Sequence, residues 1–287
     1  MSAFAETASA SGVSIGVLAA LLEERTGQRL SSSRTWRIDV ALKPLVAECG
    51  FATIDQLVQR WRVGRDAAMG ERIVDALLNQ ETSFFRDPGV LDAFAEAVLA
   101  GGGDRPRLWS AGCAFGQEPL SLAMSFAERG AVPEIVATDV SQNALLRARA
   151  ARYSQFEIQR GLAVTRMLRW FGQVGNDWVA APELRSLITY RRNNLVDDPP
   201  PAGRFDGILC RNVLFYLAPV LRTRILGRLA DAMRPGGLLM LGAGETVIGL
   251  SDRFIPSQRF RGFYERAPDA KVRRPFPQAL GSAATSG

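Results

Sequence analysis

Hydrophobic positions recur at helical spacing near the start of the chain. Between residues 13 and 80 they lie three or four apart, as in the sets Leu18, Leu21 and Leu22; Ile54, Leu57, Val58 and Trp61; Ile73, Ala76 and Leu77. This spacing places apolar side chains on one face of a helix, whereas strands alternate with a period of two. We therefore expect a small helical domain over residues 1–85, in which the small and polar residues 1–12 are disordered.

Short apolar segments alternate with helical patterns in the next part of the chain. The candidate strands are residues 107–110, 134–138, 188–191, 205–209 and 238–242. Helical patterns follow three of them, at residues 119–127, 143–150 and 219–233. This alternation predicts an α/β fold over residues 86–266, with a doubly wound, mainly parallel, Rossmann-like sheet between two layers of helices.

Two segments depart from the alternation. Residues 155–187 contain several β-forming residues and the turn sequence Gly175-Asn176-Asp177, which predicts a small antiparallel β insert. Residues 267–287 are rich in small residues, proline and basic residues, and we expect a flexible basic tail there.

Composition excludes several kinds of chemistry. The 287 residues include no histidine, so a Ser-His-Asp triad, a Cys-His dyad and a His-ligated metal are excluded, and we expect no metal. The three cysteines form no CxxC pair, and no apolar run approaches the ~20 residues that span a bilayer. We expect a cytoplasmic protein with reduced thiols and no membrane insertion.

The net charge of +6 is unevenly distributed. Residues 141–192 contain nine arginines and three acidic residues, a difference that equals the whole excess. Such a basic block either attracts an acidic partner or is an ordinary solvated surface.

The turn after the first candidate strand predicts a nucleoside-binding site. Gly112 and Gly116 flank this turn, and Asp139 ends the second strand 23 residues after Gly116, where an acidic residue binds ribose hydroxyls. Glu118 would repel the pyrophosphate of a dinucleotide but suits a cationic amino-acid nucleoside. The pattern favours S-adenosylmethionine over NAD.

Five motifs, in the same order, resemble those of the CheR-type chemotaxis protein methyltransferases. They are residues 80–87 (QETSFFRD), 110–119 (SAGCAFGQEP), 137–139 (ATD), 194–195 (NL) and 210–216 (CRNVLFY). The resemblance extends over residues 13–266. It implies an S-adenosylmethionine-dependent protein-glutamate O-methyltransferase that esterifies glutamates on the cytoplasmic helical bundle of chemoreceptors and releases S-adenosylhomocysteine.

The resemblance also implies roles for individual residues. Arg86 and Tyr216 would lie near the transferred methyl group as catalytic residues. The cofactor-binding residues would be Gln80, Thr82, Arg86, Gly112, Glu118, Asp139, Asn194, Leu195, Cys210, Arg211 and Asn212. Within this set, Glu118 would bind the amino-acid part of the cofactor and Asp139 its ribose. Asn194 and Leu195 would flank the adenine.

The sequence departs from the family pattern at Gln80, where asparagine is usual, and at Gln117, where a glutamate is usual. These departures keep open a non-catalytic module that senses S-adenosylmethionine or S-adenosylhomocysteine. A nucleic-acid methyltransferase, suggested by the isoelectric point near 9.8, is disfavoured because residues 198–201 (DPPP) precede the fourth strand and lack the expected aromatic residue. We expect no nucleic-acid partner.

Overall fold

A computed structural model describes residues 10–30, 36–103 and 105–268. Most of the predicted disordered start and of the basic tail lies outside these residues. The helices are α1 (Gly12–Thr26), α2 (Trp36–Glu48), α3 (Ile54–Gly64), α4 (Ala67–Leu77), α5 (Val90–Ala100), α6 (Gln117–Ala127), α7 (Gln142–Ala150), α8 (Gln155–Gln159), α9 (Val164–Trp170), α10 (Pro182–Arg185) and α11 (Pro219–Ala232).

The strands are β1 (Arg107–Ala111), β2 (Glu134–Asp139), β3 (Arg152–Ser154), β4 (Phe171–Val174), β5 (Asp177–Ala180), β6 (Ile188–Arg192), β7 (Phe205–Cys210), β8 (Met233–Leu241), β9 (Phe254–Pro256) and β10 (Tyr264–Arg266). All five strands expected from the sequence are present. β8 begins earlier than expected, because Met233 pairs with Phe205 before a β-bulge.

Helices α1 to α4 enclose a hydrophobic core of their own, which includes Leu18, Leu42, Leu57 and Ile73. Ser11 caps α1 by accepting a hydrogen bond from the backbone N–H of Ser14, so the expectation of disorder is wrong for residues 11 and 12. The cap satisfies one of the N–H groups that a helix leaves unpaired at its start.

The main sheet has seven strands in the order β6-β2-β1-β7-β8-β10-β9. The first five strands are parallel, and β10 pairs antiparallel with both β8 and β9. The strand order reverses between β1 and β7, and ligands of open α/β sheets bind at such a switch point, outside the carboxyl ends of the strands. The predicted doubly wound, mainly parallel fold is confirmed. Strands β9 and β10 escaped prediction because each has only three residues.

Successive residues of β1 show how the sheet separates two cores. Leu108 is buried with α5 and α6, whereas its neighbour Trp109 is buried with α11 on the opposite face. Both side chains are fully or almost fully inaccessible to solvent. Strands covered on both faces read as near-continuous apolar runs, which is why the sequence revealed them.

The insert is a three-stranded antiparallel sheet in the order β3-β5-β4, as expected. It begins at Arg152 rather than residue 155, and it also contains the short helices α8 and α9, which were not expected. Its aromatic residues pack on Phe84, whose ring lies 5.0 Å from Tyr153 and 5.5 Å from Phe171 in edge-on geometry. The insert therefore supports the segment that carries the 80–87 motif.

Many arginines of the basic block form ion pairs within the protein. The pairs are Arg147–Glu157, Arg152–Asp177, Arg160–Glu81, Arg166–Asp92, Arg166–Glu128 and Arg192–Glu71. Much of the block's charge is thus neutralised locally. Within the described ranges, no helix combines the length and hydrophobicity needed to cross a membrane.

Candidate functional site

A cleft lies at the switch point of the sheet. Its volume is about 920 Å³ when the space that opens to solvent is included. The predicted site residues that line it are Gln80, Thr82, Arg86, Gly112, Glu118, Asp139, Asn194, Leu195, Arg211, Asn212 and Tyr216. They come from five separated parts of the sequence. The fold brings them together because the carboxyl ends of β1, β2 and β7 meet at one edge.

Cys210 is the predicted site residue that does not line the cleft. Its thiol is fully buried in the core that packs on α11. Successive residues at a strand end point to opposite faces, so Arg211 faces the cleft and Cys210 cannot. The Cys210 side chain therefore lies in the core and not in the cleft lining, and its contact with the cofactor stays a prediction.

The turn after β1 needs glycine at its first position. Gly112 has φ +83°, and a Cβ there would lie 2.5 Å from Cγ2 of Val213. The neighbouring Ala114 also has a positive φ, 45°, which is uncommon for a residue with a Cβ. Such backbone strain persists where the surrounding structure enforces it, and it concentrates at ligand sites.

Asp139 holds this turn in place. One carboxylate oxygen accepts the backbone N–H of Ala114 at 2.8 Å, and the other accepts that of Ser141 at 2.9 Å. Burial raises the pKa of the Asp139 carboxyl, and these two hydrogen bonds oppose the rise. Each oxygen keeps a lone pair that is free to accept a hydrogen bond from a ligand in the cleft.

Glu118 and Arg211 form a buried charged pair at the floor of the cleft. Arg211 Nη1 lies 3.3 Å from Glu118 Oε2, while Ser110 Oγ donates to Glu118 Oε1 at 2.8 Å. Arg211 also donates to the Asp87 carboxylate and to the Arg86 carbonyl. The pair connects β7 to the segment that carries the 80–87 motif.

Arg86 has its guanidinium at the cleft wall, 32% exposed and paired with Glu81 at 2.9 Å. Glu81 also pairs with Arg160 of the insert. Phe84 and Phe85 belong to the core, and Arg166 lies over the ring of Phe85 with its guanidinium carbon 4.0 Å from the ring centre. Within the 80–87 motif, Phe84 and Phe85 are thus buried in the core, whereas Arg86 lines the cleft.

Tyr216 ends a 3₁₀ turn, Leu214–Tyr216, that follows β7. The backbone N–H groups of Val213 and Leu214 donate to the Glu245 carboxylate at 2.9 and 2.7 Å. The side-chain amide of Asn79 donates to the Tyr216 hydroxyl. Sequence reasoning missed Asn79, although it stands directly before the 80–87 motif.

Asn194 uses its side chain within the protein. Its amide donates to the Arg25 carbonyl at 3.0 Å and to Asp197 at 3.1 Å, and its carbonyl accepts the N–H of Val196 at 3.0 Å. The residue therefore ties α1 to the loop after β6, and any contact with an adenine would fall to its backbone. Leu195 supplies an apolar side chain to the same wall.

The two departures from the family pattern differ in position. Gln80 lines the cleft, where its longer side chain replaces the usual asparagine. Gln117 is 2% exposed and lies outside the cleft lining, so its replacement of a glutamate removes no charge from the cleft wall.

Three buried polar atoms at the cleft have no hydrogen-bond partner among the described residues. They are Oδ1 of Asn193, Nε of Arg211 and Oδ1 of Asn212. Two further unpaired atoms, Oε1 of Gln117 and the Tyr190 hydroxyl, belong to residues outside the cleft lining. Unpaired buried polar atoms are costly, so the three at the cleft fit a polar ligand such as S-adenosylmethionine. Over the described ranges, no cluster of three or more His, Cys, Asp or Glu side chains could hold a metal ion.

Residues 80–262 match the family described as CheR methyltransferase, SAM binding domain. This chain belongs to the CheR methyltransferase family. The family assignment makes it an S-adenosylmethionine-dependent methyltransferase of chemotaxis, and the resemblance found in the motifs is confirmed.

Curated relatives of this CheR family member support the assignment over nearly the whole chain. A chemotaxis protein methyltransferase 1 of Pseudomonas aeruginosa is 35% identical over 273 residues, which cover 90% of this chain and 99% of the relative. Chemotaxis protein methyltransferases of Pseudomonas putida and Vibrio parahaemolyticus are each 34% identical, and each alignment covers 81% of this chain and 90% or 89% of the relative.

Proposed function

We propose that this CheR family member methylates glutamate side chains on the helical bundle of chemoreceptors, in the cytoplasm. The relatives are named for chemotaxis methylation, which supports a receptor as the methyl acceptor. The observation that carries the choice of a carboxylate acceptor is the pairing of the acidic residues in the cleft.

Among the described residues, three carboxylates line the cleft, and each has partners within the protein. Glu81 pairs with Arg86 and Arg160, and Glu118 interacts with Ser110 and Arg211. Asp139 accepts backbone N–H groups on both oxygens. Glu81 and Glu118 thus have arginine partners, and we assign the remaining lone pairs of Asp139 to the cofactor, so none of the three is assigned as a general base. The sequence contains no histidine that could serve as one.

A glutamate acceptor needs no such base. An exposed glutamate has a pKa of ~4.3, so it is ionised near pH 7 and ready to attack. S-adenosylmethionine, when bound, supplies a methyl group on a sulfonium centre, and the electron pair of the broken carbon–sulfur bond remains on a neutral sulfur as the new carbon–oxygen bond forms. No proton moves in this transfer.

The residues of the chain would then bind and orient. We assign Asp139 to the ribose hydroxyls, Glu118 to the charged amino group of the cofactor and the unpaired amide oxygen of Asn212 to a polar hydrogen nearby. Arg86 would attract the acceptor carboxylate, and Tyr216 would donate a hydrogen bond to it. Alignment and charge screening then provide the rate enhancement.

The proposal is tested with the purified protein, isotopically methyl-labelled S-adenosylmethionine and membranes that contain a chemoreceptor. We expect label on the receptor that mild base releases as methanol, because esters hydrolyse and N-methyl groups do not. Receptor variants with glutamate replaced by alanine at the labelled positions should lose the signal. Base-stable label, or no label in a protein that binds S-adenosylhomocysteine, would refute the proposal.

A further inference from the structure

Three half-buried side chains from different elements form a hydrogen-bonded chain at the edge of the cleft. Arg37 of α2 donates from Nη2 to Oδ1 of Asn79 at 2.8 Å. Asn79, which follows α4, donates from Nδ2 to the Tyr216 hydroxyl. This series of hydrogen bonds connects the N-terminal helices to Tyr216, which we place beside the acceptor carboxylate.

The direction of these hydrogen bonds is fixed by chemistry. A guanidinium has only donors, so the Asn79 atom facing Arg37 must be the amide oxygen. The amide nitrogen therefore faces Tyr216, and because an amide nitrogen only donates, the phenol oxygen must accept. The single hydroxyl hydrogen of Tyr216 is left for another acceptor.

No protein group takes that hydrogen within the described parts of the chain, where the Tyr216 hydroxyl has Asn79 as its hydrogen-bond partner. The backbone of Tyr216 is also held, since its carbonyl accepts the N–H of Arg29 at 2.9 Å and Gln28 forms a β-bridge with Leu217. The hydroxyl is thus fixed in position with its hydrogen unused.

We propose that Asn79 is a positioning residue for methyl transfer, which makes Tyr216 a hydrogen-bond donor toward the acceptor carboxylate, and that Arg37 fixes the orientation of the Asn79 amide. This inference rests on the proposed function for the identity of the acceptor. Its geometric part, the direction of the Asn79–Tyr216 hydrogen bond, stands on its own.

The decisive variant is Asn79→Asp. Aspartate has nearly the same shape, and it gains an ion pair with Arg37, so a purely structural role would be preserved. However, a carboxylate only accepts, so it would take the Tyr216 hydroxyl hydrogen and leave none for the substrate. The substitution therefore separates packing from hydrogen-bond direction.

We expect Asn79→Asp to lower kcat for receptor methylation by roughly ten- to a hundredfold, the scale of one lost hydrogen bond to a charged group. The KM for S-adenosylmethionine and the melting temperature should stay close to those of the parent protein. Asn79→Asp combined with Tyr216→Phe should be no slower than Tyr216→Phe alone, because both remove the same donor. Asn176→Asp, the same change at an exposed turn of the insert, is the matched control.

A second readout needs no turnover. In protein labelled with ¹³C at the tyrosine Cζ, the Tyr216 resonance is the one missing from Tyr216→Phe, and four tyrosines make the spectrum tractable. That resonance should move in Asn79→Asp and stay in place in Asn176→Asp. A kcat within twofold of the parent, or an unmoved resonance, would overturn the inference. Absence of receptor methylation by the parent protein would refute the proposed function instead, and the resonance would still report the hydrogen-bond direction.

Discussion

Asp139→Asn offers a direct test of the cofactor site. The Asp139 carboxylate has about four lone-pair positions, of which the backbone N–H groups of Ala114 and Ser141 occupy two. Two positions remain, which is the number that a pair of ribose hydroxyls requires. In the variant, an amide nitrogen replaces one carboxylate oxygen and therefore faces one of the two backbone N–H groups. This nitrogen cannot accept a hydrogen bond from that N–H group or from the ligand.

The size of the effect follows from this count. One lost hydrogen bond to a charged acceptor corresponds to about 1.5–3 kcal/mol, or roughly ten- to 150-fold in Kd. The assay is calorimetric titration with S-adenosylhomocysteine. Asp177→Asn serves as the control, because Asp177 lies on the exposed insert and pairs with Arg152 away from the cleft.

The pH dependence of binding provides a second measure of the same residue. Because burial raises the pKa of the Asp139 carboxyl, the ionised form that accepts ligand hydrogen bonds is lost at a higher pH than usual for an aspartate. Affinity should fall as pH drops through this raised pKa, and Asp139→Asn should remove that dependence. The effect on folding stability has the opposite sign. A carboxyl whose pKa is raised in the folded state contributes stability at low pH, and this contribution is lost as the pH rises through the raised pKa. An affinity within about twofold of the parent in a folded Asp139→Asn protein would refute the reasoning.

Three further substitutions test the cleft wall and the insert. Arg86→Ala should lower turnover by at least about tenfold with little change in melting temperature, because its partly exposed pair with Glu81 adds little stability; retained turnover would exclude the role. Glu81→Gln should lower the receptor KM, since it removes a carboxylate that competes for Arg86, and a raised KM would contradict this. Arg166→Met should lower the free energy of unfolding by roughly 1–3 kcal/mol, because it removes the shared ion partner of Asp92 and Glu128, which keep only Arg129, Ser125 and Trp170 as side-chain partners. Arg169→Met is its control in thermal unfolding, and equal midpoints would refute the assignment.

The sheet could be predicted because its strands are buried on both faces. In β2, for example, Ile135, Val136 and Ala137 are consecutive buried apolar residues, as expected of a strand covered on both faces. The helices of the insert could not be predicted in the same way. α9 has only seven residues and none is fully buried, so its apolar positions Val164, Met167 and Leu168 are too few to mark a buried helical face. It is held instead by side-chain contacts such as that of Arg166 with Glu128, which no local pattern reveals.

The candidate site was predictable as a set of motifs but not as a geometry. Motif order placed Arg86, Glu118 and Asp139 in one region, and the structure brings them to one cleft. The position of Cys210 in the core was not foreseen, because a motif read along the sequence does not distinguish the two faces of a strand end. Asn79 escaped because its importance depends on Arg37 and Tyr216, which lie 42 and 137 residues away in the sequence.

The basic block illustrates how sequence charge differs from surface charge. Arg166 has its acidic partners 38 and 74 residues away in the sequence, beyond the segment that was counted. Attraction of a distant partner acts through the net charge within a Debye length, ~8 Å at physiological ionic strength, so an arginine paired at 2.7 Å contributes little to it.

Arg169, which stacks on Trp170 and has no ion pair in the described part of the chain, remains able to attract an acidic receptor surface. Reversing the charge of Arg160 or Arg166 would disturb the motif segment as well, because Arg160 pairs with Glu81 and Arg166 covers Phe85. Charge reversal at Arg169 alone therefore separates receptor attraction from support of the cleft.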